Sequence, residues 1–179
     1  MDHKIQVDVD SHPRGDNISV EELQQALKDY QNWLKDNAKP AYEKIQTGAS
    51  AQQIKQMREE IKFDSLHIMF QKLLEQINGG LQLHDSFLTL STDDIISIQE
   101  VNAVSGYWKN NYITFGQDQE QNYLILENDT GKVLSWNNDE GIQEELSTNL
   151  GLYIEKIRNQ VLKKQLEYVE EIGLVENQN

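Results

Sequence analysis

Residues 64–90, Asp64-Ser-Leu-His-Ile-Met-Phe-Gln-Lys-Leu-Leu-Glu-Gln-Ile-Asn-Gly-Gly-Leu-Gln-Leu-His-Asp-Ser-Phe-Leu-Thr-Leu90, change hydrophobic period halfway along. Leu66, Met69, Phe70, Leu73, Leu74 and Ile77 recur at spacings of three and four, which stacks them as one apolar stripe and predicts a helix. Asp64 or Ser65 is positioned to cap its start. Asn78-Gly79-Gly80 reads as its end, since glycine takes the left-handed conformation at low steric cost. Beyond it, Leu81-Gln82-Leu83 and Phe87-Leu88-Thr89-Leu90 alternate. A helical half therefore hands over to a sheet-rich half at a double-glycine corner, and the expected class is α+β.

Working outward, Ser19 with Glu22 and Ser50 with Gln53 are capping boxes that open two earlier helices. Val20, Leu23, Leu27, Tyr30 and Leu34, with Trp33 beside them, mark the inner face of the first. Pro40 separates it from a shorter piece over 41–45. Ile54, Met57 and Ile61 face inward on the second. Toward the C-terminus, Ser91-Thr92-Asp93-Asp94 caps a short helix bearing Ile95, Ile98 and Val101. Strands are predicted at 112–115, 123–127 and 132–136, the last two joined by the turn Asn128-Asp129-Thr130-Gly131. Residues 137–141 read as a polar loop. Leu146, Leu150, Tyr153, Ile154, Ile157 and Val161 form the stripe of a closing helix. Leu162, Leu166, Val169 and Ile172 extend it as a further amphipathic segment that stops at Gly173.

Four parts follow: a loose N-terminal segment (1–18, with a short strand at 5–10), a helical extension (19–45), an α+β domain (46–172) and a frayed tail (173–179). A chain of 179 residues is long enough to hide roughly 70% of its unfolded surface. It lacks an apolar run of the ~20 residues a membrane helix needs, and residues 1–10 lack the apolar core of a secretion signal. Cysteine is absent, which removes disulfides, thiol catalysis and thiolate metal sites and fits a cytoplasmic location.

Net charge is −14 and the pI about 4.6. Residues 81–150 carry twelve carboxylates against Lys109 and Lys132 alone, a net −10. Such a field disfavours nucleic acid and anionic membrane, whose binding draws on lysine and arginine. It favours encounter with a basic macromolecule.

Catalytic patterns are sparse. His3, His12, His67 and His84 include no HExxH spacing. His67 reads as a packed helix residue. His84-Asp85 has the form of an oriented general base, but no nucleophile is marked beside it. Met1-Asp2-His3 has the donors of a terminal copper or nickel chelate and reads as an accident of the terminus. Asp8, Asp10, Asp16 and Asp129 fall outside any EF-hand loop. Asn78-Gly79-Gly80 follows a helix and precedes no Gly-Lys-Ser/Thr, so it is not a phosphate loop. Glu21-Glu22, Asp93-Asp94 and Glu144-Glu145 fall in expected first helical turns and complement the helix dipole. Glu59-Glu60 and Glu170-Glu171 read as solvated. Gly79, Gly80 and Gly131 are structural turn residues. Neither a catalytic residue, nor a cofactor, nor a metal site is assigned. Asp118, Glu120, Glu127 and Asp129, on turns and strand ends, are the candidate contacts for a basic partner. Among Tyr107, Trp108, Tyr112, Tyr123 and Trp136, one or two left exposed beside acids would anchor an interface.

The order of parts from Ser50 to about Asn159 resembles the SUKH superfamily, which includes the yeast cell-wall assembly regulator and bacterial toxin-immunity proteins. The resemblance rests on the capped helix 50–61, the helix ending in Asn78-Gly79-Gly80, the acidic-capped helix 91–101, Tyr112-Ile-Thr-Phe-Gly116, Asn122-Tyr-Leu-Ile-Leu126, Thr130-Gly-Lys-Val133 and the closing helix. It departs at Asp64-Ser65-Leu66, where members often carry Leu-Pro, and at Glu127, where aspartate is common. Residues 1–45 lie mostly outside the pattern. The resemblance implies a largely antiparallel sheet flanked by helices. It implies binding rather than catalysis: an immunity protein against a cognate toxin, such as a nuclease, or a regulatory scaffold; the charge adds the expectation that the toxin is basic.

Overall fold

The computed structural model describes residues 17–178. The strand at 5–10, the turn at 12–16, His3, His12 and the Met1-Asp2-His3 chelate lie outside the described residues.

Ser19 opens α1 (Val20–Asn37) with both bonds of the capping box: the Glu22 N–H donates to Ser19 Oγ and the Ser19 N–H to Glu22 Oε1, each at 3.1 Å. The helix buries Leu23, Ala26, Leu27, Tyr30 and Leu34. The short α2 (Lys39–Tyr42) carries Pro40 in its first turn, where the missing N–H would have no helical partner anyway. It begins two residues before the expected piece. Ser50 caps α3 (Ala51–Glu60) through the second box.

The organising helix starts later than its sequence suggests. Helix α4 (Ile68–Gln76) is capped by His67, whose Nδ1 accepts the Met69 N–H at 3.2 Å, and not by Asp64 or Ser65. Leu66 packs on the core from outside the helix. Gly79 (φ +93°) and Gly80 (φ +83°) lie beyond the helix end at a chain crossing. A Cβ on Gly80 would come within 2.0 Å of the Lys44 carbonyl oxygen, and one on Gly79 within 2.6 Å of the Ser91 nitrogen. The glycines are required by close backbone approach as much as by their dihedrals. Gly131 (φ +82°) closes the turn after β3 against the His67 ring.

Five antiparallel strands follow one another across the sheet: β1 (Leu88–Thr89), β2 (Tyr112–Gln117), β3 (Tyr123–Glu127), β4 (Val133–Asn137) and β5 (Gly141–Ser147). Alternate residues point to opposite faces. Ile113, Phe115, Leu124, Leu126 and Val133 join the large core shared with the helices. Tyr112, Tyr123, Ile125, Leu134 and Trp136 form a smaller second core.

Helix α5 (Thr92–Asn102) solves an edge problem. β1 pairs only with Gly116 and Gln117, so the edge of β2 at 112–114 is uncovered. The buried Gln99 covers it: its Oε1 accepts the Thr114 N–H at 2.9 Å and its Nε2 donates to the Tyr112 carbonyl at 2.7 Å. An unpaired strand edge invites intermolecular pairing, and here one amide side chain stands in for the missing strand. The inner face of α5 thus runs through Ile95, Gln99 and Asn102, while Val101, one of the three apolar residues noted on this helix, is exposed.

Two C-terminal expectations are corrected. Residues 141–147 form β5, so Leu146 and Glu144-Glu145 belong to a strand and the closing helix α6 is Leu150–Leu162, capped by Asn149. Four consecutive exposed residues and two register shifts in β5 erase the alternation that would announce a strand. Residues 166–176 form a hairpin, β6 (Leu166–Val169) and β7 (Gly173–Glu176), where a further amphipathic segment and a frayed end were expected. Lys164 (φ +60°) breaks the helical path. Leu174 and Asp85 exchange backbone hydrogen bonds at 2.7 and 2.9 Å, which docks the hairpin on the core.

Candidate interaction surface

The four acidic residues singled out above divide into two pairs at opposite ends of β3. Asp118 and Glu120 sit on the β2–β3 turn, Glu127 and Asp129 at the β3–β4 end. The four-residue rise between Tyr123 and Glu127 separates the ends by about 13 Å. Asp118 builds its own turn: Oδ1 accepts the Glu120 and Asn122 N–H groups at 2.9 and 2.8 Å, and Oδ2 accepts Asn122 Nδ2 at 2.9 Å. Glu127 accepts the Thr130 hydroxyl at 3.1 Å, and Asp129 accepts Asn111 Nδ2 at 3.2 Å. Glu120 and Asp129 are exposed. The structure brings each pair together but not the four.

The two lysines of this half are already engaged. Lys132 Nζ lies 3.0 Å from Glu145, and that hydrogen bond, with Glu127 nearby, raises the lysine pKa. Lys109 Nζ sits 6.0 Å from the centroid of the Tyr112 ring. Glu144 and Glu145, neighbours on a strand, point to opposite faces. Glu145 meets Lys132, and Glu144 lines a cleft of about 340 Å³ with His84, Tyr153 and Lys156.

In that cleft His84 Nδ1 is hydrogen-bonded to the buried Tyr153 hydroxyl. Its Nε2 is 3.9 Å from the carboxylate of Asp85. Burial lowers the His84 pKa against the opposing pull of Asp85 and Glu144, and pushes the Tyr153 phenol well up. Asp85 itself is largely in water, 71% exposed. The imidazole thus sits between a buried phenol and a solvated carboxylate, with a quarter of its side chain open to the cleft. His67 is used as a helix cap, and burial lowers its pKa as well. Among the described residues, no three His, Asp or Glu side chains are grouped to hold a metal ion.

A wider groove of about 650 Å³ runs beside β1, between Lys44, Gly80, Leu88, Asp118 and Ile172. Its charged lining is Lys44 against Asp94, Asp118 and Glu171, set among amide and apolar groups.

The aromatic set separates by depth. Tyr112, Tyr123 and Trp136 are buried, Trp108 is half-buried and Tyr107 is exposed. Trp108 meets both Trp136 and Tyr112 edge-to-face with centroids 5.5 Å apart. The exposed Ile142 has no place in the sequence reading, because it falls between the polar loop expected at 137–141 and the closing helix whose first turn was to hold Glu144-Glu145. Its only local signal is an apolar residue after Asp139-Glu140-Gly141.

Among the described residues no helix is long and apolar enough to cross a membrane. A protein-family model described as SMI1-KNR4 cell-wall (SUKH_5) matches residues 19–159. No curated protein matches the chain. The matched span starts at the cap of α1, so the first helix, expected mostly outside the shared pattern, lies within it. The β6–β7 hairpin lies beyond it.

Proposed function

We propose that this chain, which belongs to the SMI1-KNR4 cell-wall family of the SUKH superfamily, is a non-catalytic binding protein that neutralises a cognate toxin by direct contact. The partner is a basic protein, consistent with a nuclease that must itself bind phosphate. The carrying observation is the charge imbalance of residues 81–150: twelve carboxylates, with Lys132 paired to Glu145 and Lys109 held over Tyr112. Such a surface accelerates encounter with a cation-rich partner and rejects acidic ones. The location that fits this role is the cytoplasm, where a delivered toxin would act.

The test is co-expression with the toxin encoded beside this gene. Rescue of growth and co-elution on gel filtration support the reading. Continued killing without a complex overturns it. The alternative within the same family is a regulatory scaffold of the cell-wall-regulator type. A pull-down that returns several signalling proteins and no toxin decides for the scaffold.

A further inference from the structure

The C-terminal end of α5 and the start of β5 meet at one corner of the sheet. Ser105 Oγ donates to the Asn138 carbonyl at 2.9 Å, and Asn138 Nδ2 donates to Asn102 Oδ1 at 3.2 Å. These bonds fasten the 103–111 loop over the β4–β5 turn. Tyr107 then lies on Gly141: a Cβ on that glycine would sit 3.0 Å from the tyrosine side chain. Ile142 pairs across the strands with Trp136, on which Trp108 rests. The corner thus holds Tyr107 (54% exposed) and Ile142 (48%), with Val101 (57%) and Val104 (86%) next to it along the chain, on the last turn of α5 and in the fastened loop. These are four of the seven large apolar side chains exposed among the described residues. Isolated exposed apolar residues are ordinary, but a cluster held on a fastened scaffold marks an interaction site.

The rim has one dominant sign. Glu100 adjoins Val101, and Asp139 and Glu140 immediately precede Gly141; all three are exposed. Lys109 is the basic side chain of the loop, over the Tyr112 ring. An apolar centre with an aromatic anchor and a charged rim is the anatomy of a protein–protein contact. A second copy of this chain would set like charges face to face, and an anionic membrane would meet the same repulsion.

We infer that the Val101–Val104–Tyr107–Ile142 corner docks a cationic segment of a partner protein, which places an apolar side chain against Tyr107 and lysines or arginines against Glu100, Asp139 and Glu140. This inference rests on the binding function proposed above and moves its centre from the separated acidic turns to this corner.

The experiment has two arms. In the first, NMR shifts of the full chain are followed while adding a synthetic lysine-rich peptide with one tryptophan, beside the same peptide with serine for tryptophan. The expected result is saturable shifts at Val101, Val104, Tyr107 and Ile142 with the tryptophan peptide, weakened by salt. Shifts confined to the 118–120 and 127–129 turns, no shifts, or equal effects of both peptides overturn the inference. Concentration-dependent self-association through the corner overturns it in favour of a second copy.

In the second arm, binding of the neighbouring toxin is measured for wild type, Val104→Ser, Tyr107→Ser and Glu140→Lys. Val104 is so exposed that its exchange leaves the fold intact. At least a tenfold loss, on the order of a hot-spot truncation, is expected for Tyr107→Ser. Tight binding by wild type and all three variants overturns the docking corner while leaving the immunity reading standing. If wild type does not bind the toxin, the immunity reading fails and the peptide arm decides the corner by itself.

Discussion

Asn128 Oδ1 accepts the backbone N–H of His67 at 2.8 Å, while its Nδ2 donates to the Ser65 carbonyl at 3.0 Å. A turn residue of the sheet thus holds the approach to the organising helix. Arg58 completes the arrangement by donating to the Phe63 and Asp64 carbonyls at 2.9 and 3.1 Å. With these backbone groups bonded from outside, residues 63–67 do not need helical partners, and α4 begins at Ile68. Asn128→Ala removes both bonds and leaves a part-buried N–H unpaired. The expected loss is about 1–3 kcal/mol in urea unfolding, with Asn128→Asp losing less because it keeps the acceptor.

Arg158 on α6 is the matching clamp for α1. Its Nη1 lies 3.0 Å from Asp29 Oδ2 and its Nη2 3.7 Å from Glu155, with the arginine and Glu155 almost wholly buried. Arg158→Met removes the guanidinium that bridges Asp29 on α1 and Glu155 on α6. A loss of about 3 kcal/mol is expected, read as a lower urea midpoint with an unchanged slope. Apolar replacement of all three groups together should recover much of it.

Gly80 and Gly106 make a contrasting pair. At Gly80 a side chain meets the Lys44 carbonyl at 2.0 Å with φ at +83°, whereas at Gly106 nothing lies within 4 Å. Gly80→Ala should cost at least about 2 kcal/mol, since the left-handed conformation alone costs ~1–2 for a residue with a Cβ. Gly106→Ala should stay within about 0.5 kcal/mol of wild type. Equal thermal stability of the two variants would contradict the crossing at Gly80.

Acid should weaken the fold through both described histidines. Burial holds the pKa of His67 and of His84 below the ordinary value of 6.5. In the window below 6.5 the unfolded chain binds protons that the folded chain resists, so stability falls as pH drops and levels off below the folded pKa. Protonation also removes the His67 Nδ1 acceptor from the Met69 N–H. His67→Asn keeps a capping oxygen, and His84→Gln keeps a partner for Tyr153, yet neither titrates. The double variant should flatten the stability profile between pH 7.5 and 5.5.

Local signals were strong wherever a residue satisfies its own segment. The two serine capping boxes, the stripe of α1 and the β3–β4 turn are written within a few residues, because each bond closes over three or four positions. Helix α4 was legible through its stripe but not at its start, since Asn128 is 61 residues away from His67. Strand β5 and the β6–β7 hairpin were illegible for a related reason. An exposed, bulged edge strand has lost its alternation, and Leu162, Leu166, Val169 and Ile172 fit a helix until Asp85 offers backbone partners to Leu174.

The surface followed the same division. The excess of carboxylates in residues 81–150 is a property of composition, fixed before the chain folds. Their positions are not. Folding sent Asp118 with Glu120 and Glu127 with Asp129 to opposite ends of one strand, and turned Glu144 and Glu145 to opposite faces of another. It also gathered Tyr107 and Ile142, 35 positions apart, over Gly141 and Trp136. Charge, helix caps and apolar periods are additive along a chain, so the sequence by itself determined the α+β class and the acidic character. Which groups share a face depends on strand register and on contacts between distant segments, and those the tertiary structure alone decided.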